Sequence, residues 1–193
     1  DHSRFLTRTN QVAGRLGSMD HRAAEEGVSL AVMSEAVAVQ MTWIGAPTVY
    51  YGDEAGLCGF TDPDSRRPYP WGKENRRMIE FHREMIKIHK NERPLRTGSL
   101  RMLYWEKDVL AYGRFQGDEQ VVVILNNSES LREVTVPVWM AEVPVTGRMK
   151  RLIYSYEDGF TTKKDEYIIH KGEIVVNMGR HSVLIAKTKR ADG

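Results

Sequence analysis

Two side chains of opposite charge, Asp62 and Arg66, stand four positions apart in the segment Asp62-Pro-Asp-Ser-Arg-Arg67. One turn of backbone would bring the carboxylate and the guanidinium to the same side. Charge-assisted hydrogen bonds from such a pair are stronger than neutral ones and suit a hydroxyl-rich ligand. The same spacing also suits a mutual salt bridge that stiffens a proline-rich loop. Asp64 and Arg67 are weaker candidates of the same kind. A second acidic pair, Asp53-Glu54, is adjacent in sequence. Its side chains diverge, so it is a poor candidate for paired acid–base work. Tyr50, Tyr51, Tyr69 and Trp71 can stack on a flat ligand face; the first two lie in an apolar motif and read as core, the others in a loop. His82, His89, His170 and His181 show no ligand spacing with Cys58, so no metal site is expected, and no motif calls for a cofactor.

These groups are organised by the stretch Gly45-Ala-Pro-Thr-Val-Tyr-Tyr-Gly-Asp-Glu-Ala-Gly56. Pro47 to Tyr51 is short, apolar and without alternation, and reads as a buried strand of parallel type. It runs into a polar turn between Gly52 and Gly56. The pattern from Val28 to Trp43 is a helix apolar nearly all round, ended by Gly45 and Pro47. A long loop follows to Gly72, and then a second helix, Glu74 to His89, with Met78, Phe81, Met85 and Ile88 on one face. In parallel β/α folds ligands sit where strands end and loops begin.

After Asn91 to Gly98 the period changes from helical to alternating. Strands are expected at 101–105, 109–115, 120–125, 132–136, 151–154, 167–169, 173–176 and 182–186, which suggests an antiparallel sandwich. Trp105, Tyr112 and Trp139 read as core or interface residues of that sandwich. The expected division is an α/β piece over 1–96 and an all-β domain over 97–193. The first piece is far shorter than the roughly 250 residues of a whole parallel barrel and cannot cover the edges of its own strand. A fragment is therefore expected, with self-association through the uncovered strand or loose packing before residue 45.

The bulk properties exclude several classes. The chain has 193 residues, 28 basic against 26 acidic, and a net charge of +2. The basic residues are interleaved with acidic ones, so no nucleic-acid footprint is present. No apolar run approaches the roughly 18 residues of a membrane span. One cysteine permits no intrachain disulfide, and a cytoplasmic setting is the expectation, with secretion of a longer parent left open.

Three segments carry a resemblance to the α-amylase family of glycoside hydrolases, within it the neopullulanase, cyclomaltodextrinase and maltogenic amylase group. Asp1-His-Ser-Arg-Phe-Leu-Thr7 resembles the family's His-Asp-Thr-x-Arg-Phe-Leu stretch at the end of barrel strand seven. Gly45 to Gly56 resembles barrel strand eight, commonly Gly-x-Pro-x-Ile-Tyr-Tyr-Gly-Asp-Glu-x-Gly. Asp62 to Arg66 resembles the Asp-Pro-Asp-x-Arg loop of the neopullulanase-like group.

The resemblance implies the C-terminal remnant of a (β/α)8 TIM barrel followed by an antiparallel β-sandwich domain. It implies a parent that cleaves or transfers α-linked glucans with retention, which needs two carboxyl groups about 5–5.5 Å apart. Asp1 matches the family's third carboxylate, which stabilises the transition state, and Arg4 is placed to support it or to serve structure. Asp62 and Arg66 match substrate-binding positions. The nucleophile and the acid/base belong to missing barrel strands, so this chain alone is expected to be inactive. The expected partners are an α-glucan or maltooligosaccharide and the missing N-terminal part of the barrel. The alternative is a non-catalytic sandwich module that binds glycan or protein.

Overall fold

The computed structural model describes Arg4, Phe5, Thr7 and residues 23–188. Helix α1 spans Leu30–Thr42, and the Ser29 hydroxyl caps it by accepting from the Val32 amide at 3.3 Å. Its apolar residues run round the cylinder because it is covered on more than one side: Ala31, Met33, Val37, Ala38 and Met41 are all buried. Helix α2, Arg76–Asn91, is capped by Asn75, which accepts from Met78 N at 3.1 Å. It buries one stripe, Met78, Phe81, His82, Met85 and Ile88, and leaves its charged face to solvent. A short helix α3, Arg93–Thr97, leads into the sheet.

Among the described residues nine strands follow: β1 Ser99–Glu106, β2 Val109–Gln116, β3 Glu119–Asn126, β4 Arg132–Val136, β5 Gly147–Tyr156, β6 Gly159–Thr161, β7 Glu166–Ile169, β8 Ile174–Met178 and β9 Ser182–Thr188. The large sheet runs β1-β2-β3-β9-β5-β6, with β7 also on β5, and β4 pairs with β8 in a second sheet. Every pairing is antiparallel. Strand β3 is apolar without alternation because it is covered twice. Val121, Val123 and Leu125 join the core under the helices, while Val122 and Ile124 join the core against β4 and β8. The molecule is thus three layers: helices, large sheet, small sheet. On the small-sheet side, the turn Val138–Ala141 lies so close to β2 that a Cβ on Gly113 would sit 2.3 Å from Ala141 Cβ.

The expected buried strand Pro47 to Tyr51 is not formed. The segment has no strand partner among the described residues, Tyr51 already belongs to a turn, and Val49, Tyr50 and Tyr51 are exposed. An apolar run becomes a strand only when a neighbour takes its amide and carbonyl groups. Of the sandwich aromatics, Tyr112 is fully buried, whereas Trp105 and Trp139 are exposed on the surface. Strand β6 and the turn Val138–Ala141 lacked a sequence signal, being too short for a period to register.

The helices are fastened to the sheet at the C-terminus of α1. Arg114, on β2 and fully buried, donates from Nη1 to Thr42 O at 2.6 Å and Trp43 O at 2.9 Å. Its Nη2 donates to Gly98 O at 2.9 Å and its Nε to Ser99 O at 3.4 Å. Two positions earlier, the Tyr112 hydroxyl lies 2.6 Å from Thr42 Oγ1, and its ring meets Trp43 edge-on at 5.1 Å. The negative end of the helix dipole thus faces a guanidinium. His89 Nδ1 meets Met41 O at 2.7 Å and ties α2 to the same place.

Glu35, on the sheet-facing side of α1, is 5% exposed. Burial pushes its carboxyl up to about 9. His181, at 3.7 Å, does not offset that burial, and its Nε2 is paired with exposed Glu129 at 2.9 Å.

Two outcomes are expected. Arg114→Leu leaves several buried carbonyls without donors and should cost about 3–5 kcal/mol in urea unfolding; a loss below about 1 kcal/mol would show that water replaces the guanidinium. For Glu35 the folded pKa lies above the unfolded value of 4.5, so folded protein holds a proton that the unfolded chain releases. Its contribution is therefore constant below pH 4.5 and falls as pH rises towards 9, by up to about 1.4 kcal/mol per pH unit. Glu35→Gln should flatten that slope in unfolding curves between pH 5 and 9; parallel slopes in the two proteins would refute the assignment.

Candidate functional site

The candidate site is built on the loop from Gly52 to Gly72, and Arg4 is its internal post. Arg4 is buried, and its amide donates to Gly59 O at 2.9 Å. Its Nε donates to Ser65 O at 2.6 Å and its Nη1 to Tyr51 O. Nη1 also faces Asp53 Oδ1 at 3.5 Å. The guanidinium plane lies over two rings, 4.4 Å from Tyr50 and 4.5 Å from Tyr51. Thr7 adds a second post: its hydroxyl accepts from Gly59 N at 2.9 Å and donates to Ala24 O at 3.1 Å.

Tyr50 and Tyr51, read from sequence as core, are 47% and 43% exposed and form a lid on Arg4. The turn they lead into is the 3-10 segment Asp53–Ala55, bounded by Gly52 at φ 90° and Gly56 at φ 75°. A Cβ on Gly52 would sit 2.7 Å from Leu57 Cδ2, so glycine is required there by space as well as by backbone. Glu54 accepts from Gly52 N at 2.9 Å. Burial raises the Asp53 carboxyl to about 6, against the attraction of Arg4. Desolvation prevails because the guanidinium is shared among two carbonyls and two ring faces.

The six residues Asp62 to Arg67 contain two interleaved ion pairs, an inner, more buried one and an outer, more exposed one. The inner one is Asp64–Arg67, with Nε to Oδ1 at 2.9 Å and Nη2 to Oδ2 at 2.7 Å. Asp64 also accepts from Phe60 N at 2.8 Å, and the Tyr51 hydroxyl donates to Arg67 O at 3.2 Å. That bidentate pair is half-sheltered and staples the loop. The outer pair is Asp62–Arg66, 2.6 Å from Oδ1 to Nε, with the Arg66 side chain 67% exposed. So the two residues expected to bind ligand are brought together, and their outer faces meet solvent. The structural weight falls on the inner pair, whose i,i+3 spacing was the available signal. Asp1 and His2 lie outside the described residues. Among the described residues no cluster of His, Cys, Asp and Glu is placed to hold a metal ion, and no helix is long and apolar enough to cross a membrane.

No family model matches the chain. It is 33% identical over 168 residues to the amylopullulanase of Thermoanaerobacterium saccharolyticum, covering 81% of this chain and 12% of that one. It is 39% identical over 107 residues to neopullulanase 2 of Thermoactinomyces vulgaris, covering 53% of this chain and 18% of that one. The chain is related to the α-amylase family of glycoside hydrolases. The α-amylase of Geobacillus thermoleovorans, solved with acarbose, superposes with a TM-score of 0.72 over 84% of this chain and 34% of its own, at 19% identity, which bears on the fold alone. The largely antiparallel architecture is that of a β-sandwich C-terminal domain of α-amylase-family enzymes. The chain spans less than a quarter of the length of these curated relatives.

In this α-amylase relative, replacing Arg4 tests whether the loop depends on it. Arg4→Met should cost about 3–5 kcal/mol, because Asp53 and two carbonyls lose their donor. On an Asp53→Asn background the same substitution should cost less, the difference being their coupling. Denaturant titration of the four proteins measures it, and strict additivity would show that Arg4 acts through packing alone.

Proposed function

We propose that the chain is the C-terminal portion of a retaining glycoside hydrolase that acts on α-glucans. In this reading residues 1–96 are the last part of a (β/α)8 barrel and 97–193 the sandwich that packs on it. Asp1 is the carboxylate that stabilises the oxocarbenium-like transition state. Asp62 and Arg66 hold sugar hydroxyls beside it. The nucleophile and the acid/base are supplied by barrel strands outside the chain, so the chain alone does not hydrolyse.

The observation that carries this reading is the alignment itself: one-third identity over most of this chain to a small share of an amylopullulanase. Two features support it. The segment from Ile44 to Tyr51 is exposed, with the apolar side chains of Ile44, Val49, Tyr50 and Tyr51 uncovered, as a barrel strand separated from its neighbours would be. And the Arg66 guanidinium is held by a carboxylate yet open to solvent, the arrangement a hydroxyl-rich chain can engage.

The test is cleavage by the chain joined to the upstream sequence of its own gene. The joined protein should release sugars from pullulan, cyclodextrin or starch with retained anomeric configuration, and the chain alone should release none. In the joined protein, Arg66→Ala should raise KM by about tenfold with a smaller change in kcat, as loss of a ground-state contact does. No cleavage of any α-glucan by the joined protein defeats the proposal.

A further inference from the structure

The loop that carries Asp62 and Arg66 continues into Pro68-Tyr-Pro-Trp-Gly72, and there it presents an aromatic pair that neither ion pair uses. The Tyr69 and Trp71 ring centroids are 4.5 Å apart with planes inclined at 49°. Trp71 is 81% exposed. Its large aromatic face therefore meets water beside a second ring. Trp105 and Trp139 are exposed too, but neither meets another ring among the described residues.

The pair is held, not dangling. Pro68 and Pro70 restrict the backbone on both sides of Tyr69. Trp71 N donates to Tyr69 O and Lys73 N to Pro70 O, both at 2.9 Å, and Gly72 turns the chain at φ 77°. Asn75, which caps α2, donates from its amide to Ala55 O at 2.9 Å and fixes the far end to the Asp53–Ala55 turn. Glu54, itself anchored on Gly52 N, and Glu74 lie near enough to the Tyr69 hydroxyl to act on it electrostatically. A ring fixed before binding loses little freedom when a ligand arrives.

We propose that Tyr69 and Trp71 form a stacking platform for an α-glucan chain, with Glu54 and Glu74 accepting from the hydroxyls at its edge. This rests on the reading of the chain as part of an α-glucan-acting enzyme and adds a contact beyond Asp62 and Arg66. A pyranose has an apolar C–H face and a rim of hydroxyls. It therefore matches an aromatic face bordered by carboxylates, which are pure acceptors. An anionic lipid surface does not match, since the carboxylates beside the rings would repel it. The platform and the Asp62–Arg66 pair lie on one continuous loop.

The experiment is affinity electrophoresis of the chain through gels containing pullulan or amylopectin, with maltoheptaose titrated against tryptophan fluorescence. Trp71→Ala should weaken retardation and affinity by at least about fivefold, and Trp71→Phe should keep affinity within about twofold of the parent. Because Trp71 is exposed, the melting temperature of either variant should move by less than about 2 °C. Arg66→Ala is measured alongside. If Trp71→Ala binds as the parent does while Arg66→Ala is weakened, the platform is wrong and the functional reading stands. If the unsubstituted chain binds no glucan, the platform is wrong, while the functional reading is decided by cleavage in the joined protein. If light scattering shows that Trp71→Ala abolishes an association between copies and leaves glucan binding intact, the pair is a protein-docking site and the proposal is overturned.

Discussion

The structure depends on how one strand grips the end of one helix. Arg114 and Tyr112 project from the same face of β2 and take hold of Thr42 and Trp43 at the C-terminus of α1. Carbonyls at a helix end have no partner within the helix, and when buried they need donors from elsewhere. Here a sheet residue supplies them, and it serves Gly98 and Ser99 as well. The same guanidinium therefore sets where α1 stops, where the extended segment after it begins, and where β1 enters the sheet. The loop with the candidate site starts from that fixed point.

A second arginine does the corresponding work on the ligand side. Arg4 lies far from the loop in sequence yet binds the Tyr51 carbonyl at its start and the Ser65 carbonyl within it, with Asp53 between. The loop is long and carries three prolines, but it is not slack: Asp64–Arg67 closes it from within. This leaves Arg66 of the outer pair facing solvent, held by the less exposed Asp62. Division of labour between two adjacent acid–base pairs is how a short motif can be both rigid and available.

Most of the strands and both long helices were legible from periodicity, because burial on one side of a helix or strand leaves a regular stripe. Strand β3 was legible as a strand but its double coverage was not, since Val121 to Leu125 reads alike for any fully buried run. Pro47 to Tyr51 misled for the reciprocal reason. Its composition fits a buried strand, but pairing is a property of neighbours, which a local pattern does not contain. At the site, the Asp62–Arg66 pairing followed from spacing. Arg4's place under Tyr50 and Tyr51 did not, because no local signal links residues nearly fifty positions apart. Asp1 lies outside the described residues, so its role rests on resemblance alone.

The large sheet is a party wall. Val121, Val123, Leu125, Ile153, Val183 and Ile185 face the helices, and Val122, Ile124, Leu184 and Ala186 beside them face the small sheet. The change of sequence period near residue 96 therefore does not coincide with a boundary of burial. A gene segment encoding the strands alone would deliver a sheet with one side stripped to water. The piece that can be moved between proteins, by recombination or by design, is the sandwich together with the two helices that roof it.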